Sequence, residues 1–250
     1  MKSYLPSSRF EIKYQLNYYQ RKAFFDRISG MLTPDFYSKE VNGYGNYSIY
    51  YDSPGRRYSN EKEEGLALRT KPRLRIYKRL SDFEPVAYFF ELKHRIDTKV
   101  AKERVAIGLE NAKILLDPIH IKEEKIEERS PVLNKFYYLA RRYNLRPVLC
   151  VFYHRQAFTS ELFPGLRITF DSFVSGCTRT VLDNEPNNFT PILPHHHSVV
   201  EIKYNDRIPN WVSQVVNSLE MQQVSVSKYA TAANILTGNS SMRGRDAFSF

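Results

Sequence analysis

The sequence predicts an α+β fold: an antiparallel β-barrel, or tunnel, of about eight strands with a basic lumen and flanking helices. Several segments alternate apolar residues with Arg, Lys and Glu, as strands do when their two faces meet different surroundings. The chain has 37 Lys and Arg against 27 Asp and Glu, a formal net charge of +10. Its 250 residues suffice for one barrel, because barrels of roughly 200–250 residues form single domains.

The strongest alternation is the segment 68–79. One parity of this segment is basic and the other is mostly apolar: Arg69, Lys71, Arg73, Arg75 and Arg79 against Leu68, Leu74 and Ile76. Two unit charges about 6 Å apart repel by roughly 2–3 kcal/mol at an effective dielectric near 20. Such a strand face therefore needs water or an anion in front of it. Because Pro72 removes a ladder donor and often marks a bulge, we expect Arg69 and Lys71 to leave the face of Arg73 and Arg75.

The same alternation recurs along the chain. Three strands contain the triplet Glu-x-Lys: Glu11 with Lys13, Glu91 with Lys93, and Glu201 with Lys203. Basic residues also lie on the polar parity of other predicted strands: Lys102, Arg104, Arg155 and Arg167. Any one strand is compatible with a solvated outer face. Taken together, the enrichment in Arg and Lys favours polar faces that point inward around a polyanion, with helices over the apolar outer faces.

The first half of the chain begins with a strand over 10–16, after which Asn17 is the predicted N-cap of a helix reaching Met31. A strand over 46–52 ends at Ser53-Pro54-Gly55, and a short helix from Arg57 stops at Gly65. The basic strand, the Glu91 strand and the Lys102 strand then follow as an antiparallel meander.

The second half supplies helices and the remaining strands. Ser130 and Pro131 predict the start of a helix that ends at Tyr143. Further elements are expected as helices at 111–116, 209–219 and 227–236, and as strands at 147–160, 167–176 and 199–204. The domain is predicted as one unit, 1–238, followed by a mobile tail, 239–250.

Cysteine usage and hydropathy bear on the location. Cys150 and Cys177 both lie in predicted strands, which is typical of core thiols in a reducing compartment. No apolar stretch approaches the roughly 20 residues of a membrane span, and the first six residues do not begin a signal peptide. We therefore expect a cytoplasmic protein.

At this point the residues resemble a known family, the VTC (vacuolar transporter chaperone) polyphosphate polymerase domain of the triphosphate tunnel metalloenzyme (CYTH-like) superfamily. The similarity runs in order from Arg9 to Lys228. It is carried by the Glu-x-Lys strands and by the segments 48–52, 73–75, 153–155, 167–171, 201–204 and 227–229. The resemblance implies a tunnel lined with Arg and Lys. It also implies transfer of the ATP γ-phosphate onto a growing polyphosphate chain, with Mn²⁺ or Mg²⁺ as cofactor.

One departure separates subfamilies of this superfamily. Tunnel triphosphatases and the related adenylate cyclases open with Glu-x-Glu-x-Lys, whereas this chain has Arg9 at the first of those positions, followed by Glu11 and Lys13. The change resembles the polymerase branch and removes one metal ligand. It favours synthesis over hydrolysis.

The resemblance also implies roles for particular residues. The catalytic side chains would be Arg73, Arg75, Lys93, Arg155 and Arg167. Further phosphate-binding side chains would be Lys13, Arg69, Lys102, Arg104, Lys203 and Lys228. Glu201 would bind the metal, with Glu11 and Glu91 adding contacts to it. These are suitable residue types, because Arg presents a planar fork to phosphate oxygens, Lys a compact charge, and carboxylates suit Mg²⁺ and Mn²⁺.

Several alternatives stay open. A tunnel triphosphatase or polyphosphatase and a non-catalytic polyphosphate sensor would use the same basic lumen, whereas single-strand nucleic-acid binders favour open grooves with interleaved aromatics. The expected partners are ATP and inorganic polyphosphate. A separate membrane protein that exports the product is a further partner in the family, and it would hold the domain at the inner face of the membrane. Asp171 either orients Arg167 or is a plain strand-end carboxylate, and His195-His196-His197 favours a loop without a ligand role.

Overall fold

The computed structural model describes residues 9–39, 43–118, 130–183 and 188–238, so the predicted tail 239–250 lies outside the described residues. The strands are β1 (Arg9–Asn17), β2 (Thr33–Pro34), β3 (Tyr44–Asp52), β4 (Leu68–Lys78), β5 (Pro85–Ile96), β6 (Lys99–Ile107), β7 (Arg146–Thr159), β8 (Arg167–Cys177), β9 (Thr190–Pro191) and β10 (His197–Tyr204). The helices are α1 (Tyr18–Ile28), α2 (Arg57–Glu63), α3 (Leu109–Ile114), α4 (Pro131–Tyr143), α5 (Asn210–Ser218) and α6 (Lys228–Leu236).

Eight of these strands close into an antiparallel barrel, which confirms the predicted fold class. Around the barrel the order is β7-β3-β4-β5-β6-β1-β10-β8, and β8 pairs with β7 to complete the circle. The short strands β2 and β9 extend β7 and β8 at their edges and were not predicted.

Helices cover the apolar outer faces on two sides, as the alternation predicts. On one side α4 contributes Phe136 and Ala140 to a core cluster with Leu74 and Phe90. On another side α1 and α5 pack over residues of β1, β8 and β10. Fully burying a large apolar side chain stabilises the fold by about 1.5–3 kcal/mol, so these layers hold the barrel closed.

Local signals set the helix boundaries. Asn17 and Gln20 form a capping box in which the Gln20 N–H donates to Asn17 Oδ1 (2.9 Å) and the Asn17 N–H donates to Gln20 Oε1 (3.1 Å). A 3₁₀ turn then carries the chain to Met31, the predicted helix end. Helix α3 begins two residues earlier than expected, because Gly108 takes the N-cap position and its carbonyl accepts from the Ala112 N–H (3.0 Å).

Helix α6 fills one end of the barrel from within. Its residues Tyr229 and Ala232 pack with Val151 and Val174 on the inner faces of β7 and β8. Gly176 makes this approach possible, since a Cβ there would lie 3.1 Å from Leu236 Cδ1 and 3.2 Å from Ala232 Cβ. The sequence predicted the helix, and the family resemblance placed Lys228 at its start among the phosphate-binding residues. Neither indicated that the rest of the helix lies in the lumen.

Cys150 and Cys177 face each other across β7 and β8 as free, buried thiols. The Tyr47 hydroxyl donates to Cys150 Sγ at 2.8 Å, and burial raises the pKa of that thiol to about 12. Both are core thiols, as expected. No helix in the described part of the chain has the length and apolar character of a membrane span.

Candidate functional site

The lumen is a cavity of about 710 Å³ lined by fourteen Lys and Arg and three acidic residues. All eleven cations predicted as site residues are in this lining: Lys13, Arg69, Arg73, Arg75, Lys93, Lys102, Arg104, Arg155, Arg167, Lys203 and Lys228. Their side chains converge because successive residues of a strand alternate between the two faces of the sheet. The polar parity of each strand therefore points into the barrel.

The expected separation at Pro72 is wrong, because Arg69 and Lys71 line the same cavity as Arg73 and Arg75. Strand β4 keeps its register with β5 through Pro72, and the register shifts only between Tyr77 and Lys78. Pairing of β4 with β3 ends at Arg73, so the missing N–H of Pro72 lies beyond that ladder.

Glu91 is the centre of one charged cluster. The carboxylate Oε2 accepts from Arg73 Nε at 2.8 Å and lies 2.7 Å from Arg73 Nη2, while Arg75 Nη1 is 3.7 Å away. Lys102 and Arg104 lie 3.7 and 3.6 Å from the other oxygen. Burial raises the pKa of Glu91, but Arg75 and Arg73 outweigh it and hold the pKa well below its usual value. The buried carboxylate stays ionised and orients the guanidinium groups around it.

Asp171 and Glu201 form the second cluster with Arg155 and Lys228. Arg155 Nε and Nη2 donate to the two oxygens of Asp171, both at 2.6 Å, and Nη2 lies 3.4 Å from Glu201 Oε2. Lys228 Nζ lies 2.6 Å from Asp171 and donates to Glu201 at 3.0 Å. A bidentate pair of this kind fixes both side chains in one geometry. Asp171 therefore orients Arg155 and Lys228.

Arg167 has a different partner from the one that sequence reasoning considered. Its Nη2 donates to Asp35 Oδ2 at 2.6 Å, in the turn that follows β2. The interpretation of Asp171 as the group that orients Arg167 is wrong. Its interpretation as a plain strand-end carboxylate is wrong as well, because Asp171 is fully buried and pairs with two cations.

Glu11 on β1 contacts three lysines, which lie on β1, β5 and β10. Lys13, Lys93 and Lys203 each place Nζ 3.4 Å from a Glu11 oxygen. Burial lowers the pKa of Lys93 to about 7, with Lys13 and Lys203 adding to the effect and Glu11 opposing it. Burial likewise lowers the pKa of Lys102 to about 8. Both lysines therefore lose their proton more readily than an exposed lysine does.

The charge balance of the lumen accounts for nearly all of the chain's formal charge. Fourteen cations line the cavity. Five carboxylates lie among them: Glu11, Asp35 and Glu201 in the lining, and Glu91 and Asp171 in contact with its cations. The excess of nine is close to the formal +10 of the whole sequence. A focused positive field of this kind attracts anions.

The three predicted metal-binding glutamates do not come together. Glu11 and Glu201 both contact Lys13 and Lys203, whereas Glu91 belongs to the other cluster. Within the described residues, no group of three or more His, Cys, Asp or Glu is placed to hold a metal ion. Two carboxylates still fit Mg²⁺ or Mn²⁺, which take one or two protein ligands together with substrate phosphates. Glu11 Oε2 is buried and has no hydrogen-bond partner beyond its 3.4 Å ion pair with Lys203, which fits such a ligand.

Other residues of the site were missed or lie elsewhere. The hydroxyls of Tyr50 and Tyr153 accept hydrogen bonds from Arg73 and Arg75, both at 3.3 Å. The parity of Tyr153 with Arg155 was a usable signal for its inward direction. The segment His195-His196-His197 lies at the turn into β10, outside the lining of the cavity.

Comparisons with known proteins identify the family. The model of the VTC domain family matches residues 8–237. No curated protein sequence matches the chain.

Several solved structures align with most of the chain. PH1819 protein from Pyrococcus horikoshii OT3 has a TM-score of 0.47 and 16% identity, covering 92% of this chain and 99% of its own. A putative adenylate cyclase from Vibrio parahaemolyticus has a TM-score of 0.47 and 12% identity, with coverages of 89% and 97%. The Mimivirus capping enzyme triphosphatase has a TM-score of 0.37 and 9% identity, with coverages of 86% and 89%.

Proposed function

Because this chain belongs to the VTC domain family, we propose that it is a polyphosphate polymerase that transfers the γ-phosphate of ATP onto a growing polyphosphate chain. The observation that carries the proposal is the convergence of fourteen Lys and Arg on one cavity inside the barrel. A cationic substrate would be repelled there, whereas a chain of phosphates would neutralise the excess charge.

The arginines of the two clusters would hold the phosphates in line. Arg73, Arg75 and Arg155 are each held by a buried carboxylate or a tyrosine hydroxyl, so they lose little further freedom when they bind. A charge-assisted hydrogen bond contributes roughly 1.5–3 kcal/mol, and several would act on one triphosphate. Lys93 and Lys102 would add positive charge beside the bound phosphates, since an anion next to a lysine favours its protonated form.

The proposed reaction needs no nucleophile from the protein. An oxygen of the terminal phosphate of the chain attacks the γ-phosphorus, and a new P–O–P link forms while the bond to the β-phosphate oxygen breaks and ADP leaves. Positioning and charge neutralisation account for most catalysis of this type. Glu201 and Glu11 would hold the divalent cation, Mn²⁺ or Mg²⁺, which supplies neutralisation of phosphate charge when bound.

Incubation of the purified protein with ATP and Mn²⁺, with and without a short polyphosphate primer, tests the proposal through its phosphorus products. Long chains together with ADP support a polymerase. Orthophosphate without chain growth identifies a tunnel hydrolase instead.

A matched pair of variants separates catalysis from binding in that assay. Glu201→Gln should abolish turnover and leave polyphosphate binding largely intact. The control is Glu103→Gln, since Glu103 contacts His94 and Lys135 away from the cavity lining and should not affect turnover. Equal activity of both variants would remove Glu201 from the mechanism.

A non-catalytic polyphosphate sensor is the second candidate, and one observation favours it. The carboxylates Glu201 and Asp171 are already paired with Arg155 and Lys228, so a metal ion at Glu201 would have to displace these contacts. A sensor would bind polyphosphate, but it would form neither ADP nor orthophosphate in the assay above. A cytoplasmic location and a separate membrane partner stay predictions, which fractionation of cells and purification of the protein with its partners would test.

A further inference from the structure

One rim of the cavity is aromatic. Phe36, Tyr37, Tyr44 and Tyr77 all belong to the lining. Three of these rings form a continuous row that extends to Phe89. The ring centroids are 5.2 Å apart for Phe36–Tyr37, 4.8 Å for Tyr37–Tyr77 and 5.4 Å for Tyr77–Phe89. Phe36 ends this row with 81% of its surface exposed. A large apolar ring at the mouth of a basic cavity has no role in packing the core.

The backbone that presents Phe36 is firmly held. The Asp35 N–H donates to Ala157 O at 2.8 Å, and the Asp35 carboxylate accepts from the Ser38 N–H at 3.0 Å while pairing with Arg167. Ser38 Oγ in turn accepts from the Ala157 N–H at 3.0 Å. The exposed ring therefore lies on a turn anchored to β7 and β8. The backbone that carries this ring is held before any ligand arrives.

Arg104 connects this rim to the phosphate-binding residues. Its guanidinium lies 3.3 Å from the centroid of the Phe89 ring, and its Nε is 3.6 Å from Glu91. Nη2 is buried without a hydrogen-bond partner, and Nε makes no hydrogen bond beyond its 3.6 Å ion pair with Glu91. Arg104 therefore has donor capacity left for an anionic group between the aromatic row and the Arg73–Arg75 cluster.

The opposite part of the lining is cationic. Arg69 and Arg95 are cross-strand partners that both line the cavity. Arg69 lies eight residues before Tyr77 on β4, which corresponds to about 27 Å along a strand. The Phe36–Tyr37 rim and the Arg69–Arg95 pair thus occupy different ends of one cavity.

We propose that the Phe36–Tyr37 rim is the base-binding subsite for the nucleoside triphosphate, by stacking of the base on the exposed ring. The phosphates then extend past Arg104 to Arg73 and Arg75, and the polyphosphate chain lies toward Arg69. This assignment rests on the proposed function and adds the orientation of the nucleotide to it. Stacking suits the site because every base has a flat π-face that an aromatic ring accepts.

Equilibrium binding tests the subsite with two probes: an ATP analogue that is not cleaved at its γ-phosphate, and inorganic tripolyphosphate, which has no base. Phe36→Ala should weaken binding of the analogue by about ten-fold or more and leave tripolyphosphate within about two-fold. Phe36→Trp should restore the affinity for the analogue. Because Phe36 is exposed, neither variant should impair folding.

Tyr19→Ala is the matched control, since Tyr19 is 80% exposed and lies outside the lining. It should change neither affinity. Unchanged analogue binding by Phe36→Ala, or an equal loss for both probes, would overturn the subsite while the proposed function stands. A wild-type protein that binds neither probe would remove both.

Discussion

Raising the pH should weaken polyphosphate binding through two lysines of the lumen. Burial lowers the pKa of Lys93 to about 7 and that of Lys102 to about 8 in the free protein. A bound polyanion favours the protonated form of both side chains, so it raises both pKa values. The complex then binds more protons than the free protein above about pH 7. By linkage the affinity must fall as the pH rises.

The size of the effect follows from these two values. We take binding to raise both pKa values above about pH 8.5, so that each lysine must be protonated in the complex. Between about pH 6.5 and about pH 8.5 this requirement lowers the affinity about twenty-five-fold through Lys93 and about four-fold through Lys102. The product is about a hundred-fold, or roughly 2.7 kcal/mol. This is the upper figure for the two lysines together.

The measurement is a titration with long-chain polyphosphate across this pH range at constant ionic strength, because salt screens such interactions. Terminal phosphates titrate at about pH 6, and long chains keep their share small. Lys93→Met should leave only about the four-fold dependence of Lys102. Lys135→Met is the control, since Lys135 pairs with Glu103 away from the lining and should keep the full dependence.

An affinity that is constant or rises with pH, while the protein stays folded, would refute the reasoning. So would a Lys93→Met variant with the same pH dependence as the wild type. Calorimetry in two buffers of different ionisation enthalpy gives an independent check, because proton uptake on binding must appear as a buffer-dependent heat.

Three further predictions concern stability. Asp171→Asn removes half of the buried pair with Arg155 and should lower the free energy of unfolding by about 3–5 kcal/mol in urea titrations; a loss below about 1 kcal/mol would contradict a strong pair. Asn17→Ala removes the helix cap and should cost about 1 kcal/mol, with an unchanged midpoint as the contrary result. Gly43→Ala places a Cβ 2.4 Å from His154 Nε2 at a φ of +124°, and it should cost about 1–3 kcal/mol by thermal unfolding, whereas a neutral change would show that the turn relaxes.

Much of the lumen could be predicted because a strand alternates strictly between its two faces. Once the segment 68–79 is taken as a strand, the parity of Arg73 fixes the direction of Arg75. Arg69 follows the same parity, although Pro72 led us to expect otherwise. The same reasoning orients the Glu-x-Lys strands. Closure follows from the number of such strands, since only a barrel gives every polar face a common interior.

The pairings inside the lumen could not be predicted, because they depend on register. Asp171 lies opposite Arg155 in the pairing of β7 and β8, and neither residue's sequence neighbours indicate this. Asp35 lies in a turn, where the sequence has no periodic pattern, so nothing in the sequence indicated its pairing with Arg167. The entry of α6 into the barrel depends on Gly176 and on a bulge near Phe173, where φ is +54°.

The closing contacts of the lumen join distant parts of the sequence, and this has a consequence for synthesis. Lys13 Nζ donates to Val226 O, 213 residues along the chain, and Lys228 binds Asp171 and Glu201 only after α6 docks. At about 5–20 residues per second, a ribosome needs roughly 10–40 s to bridge that separation. Until β10 pairs with β1 and β8, the cationic faces of the earlier strands have no closed barrel around them. The docking of α6 then fills one end of the closed barrel.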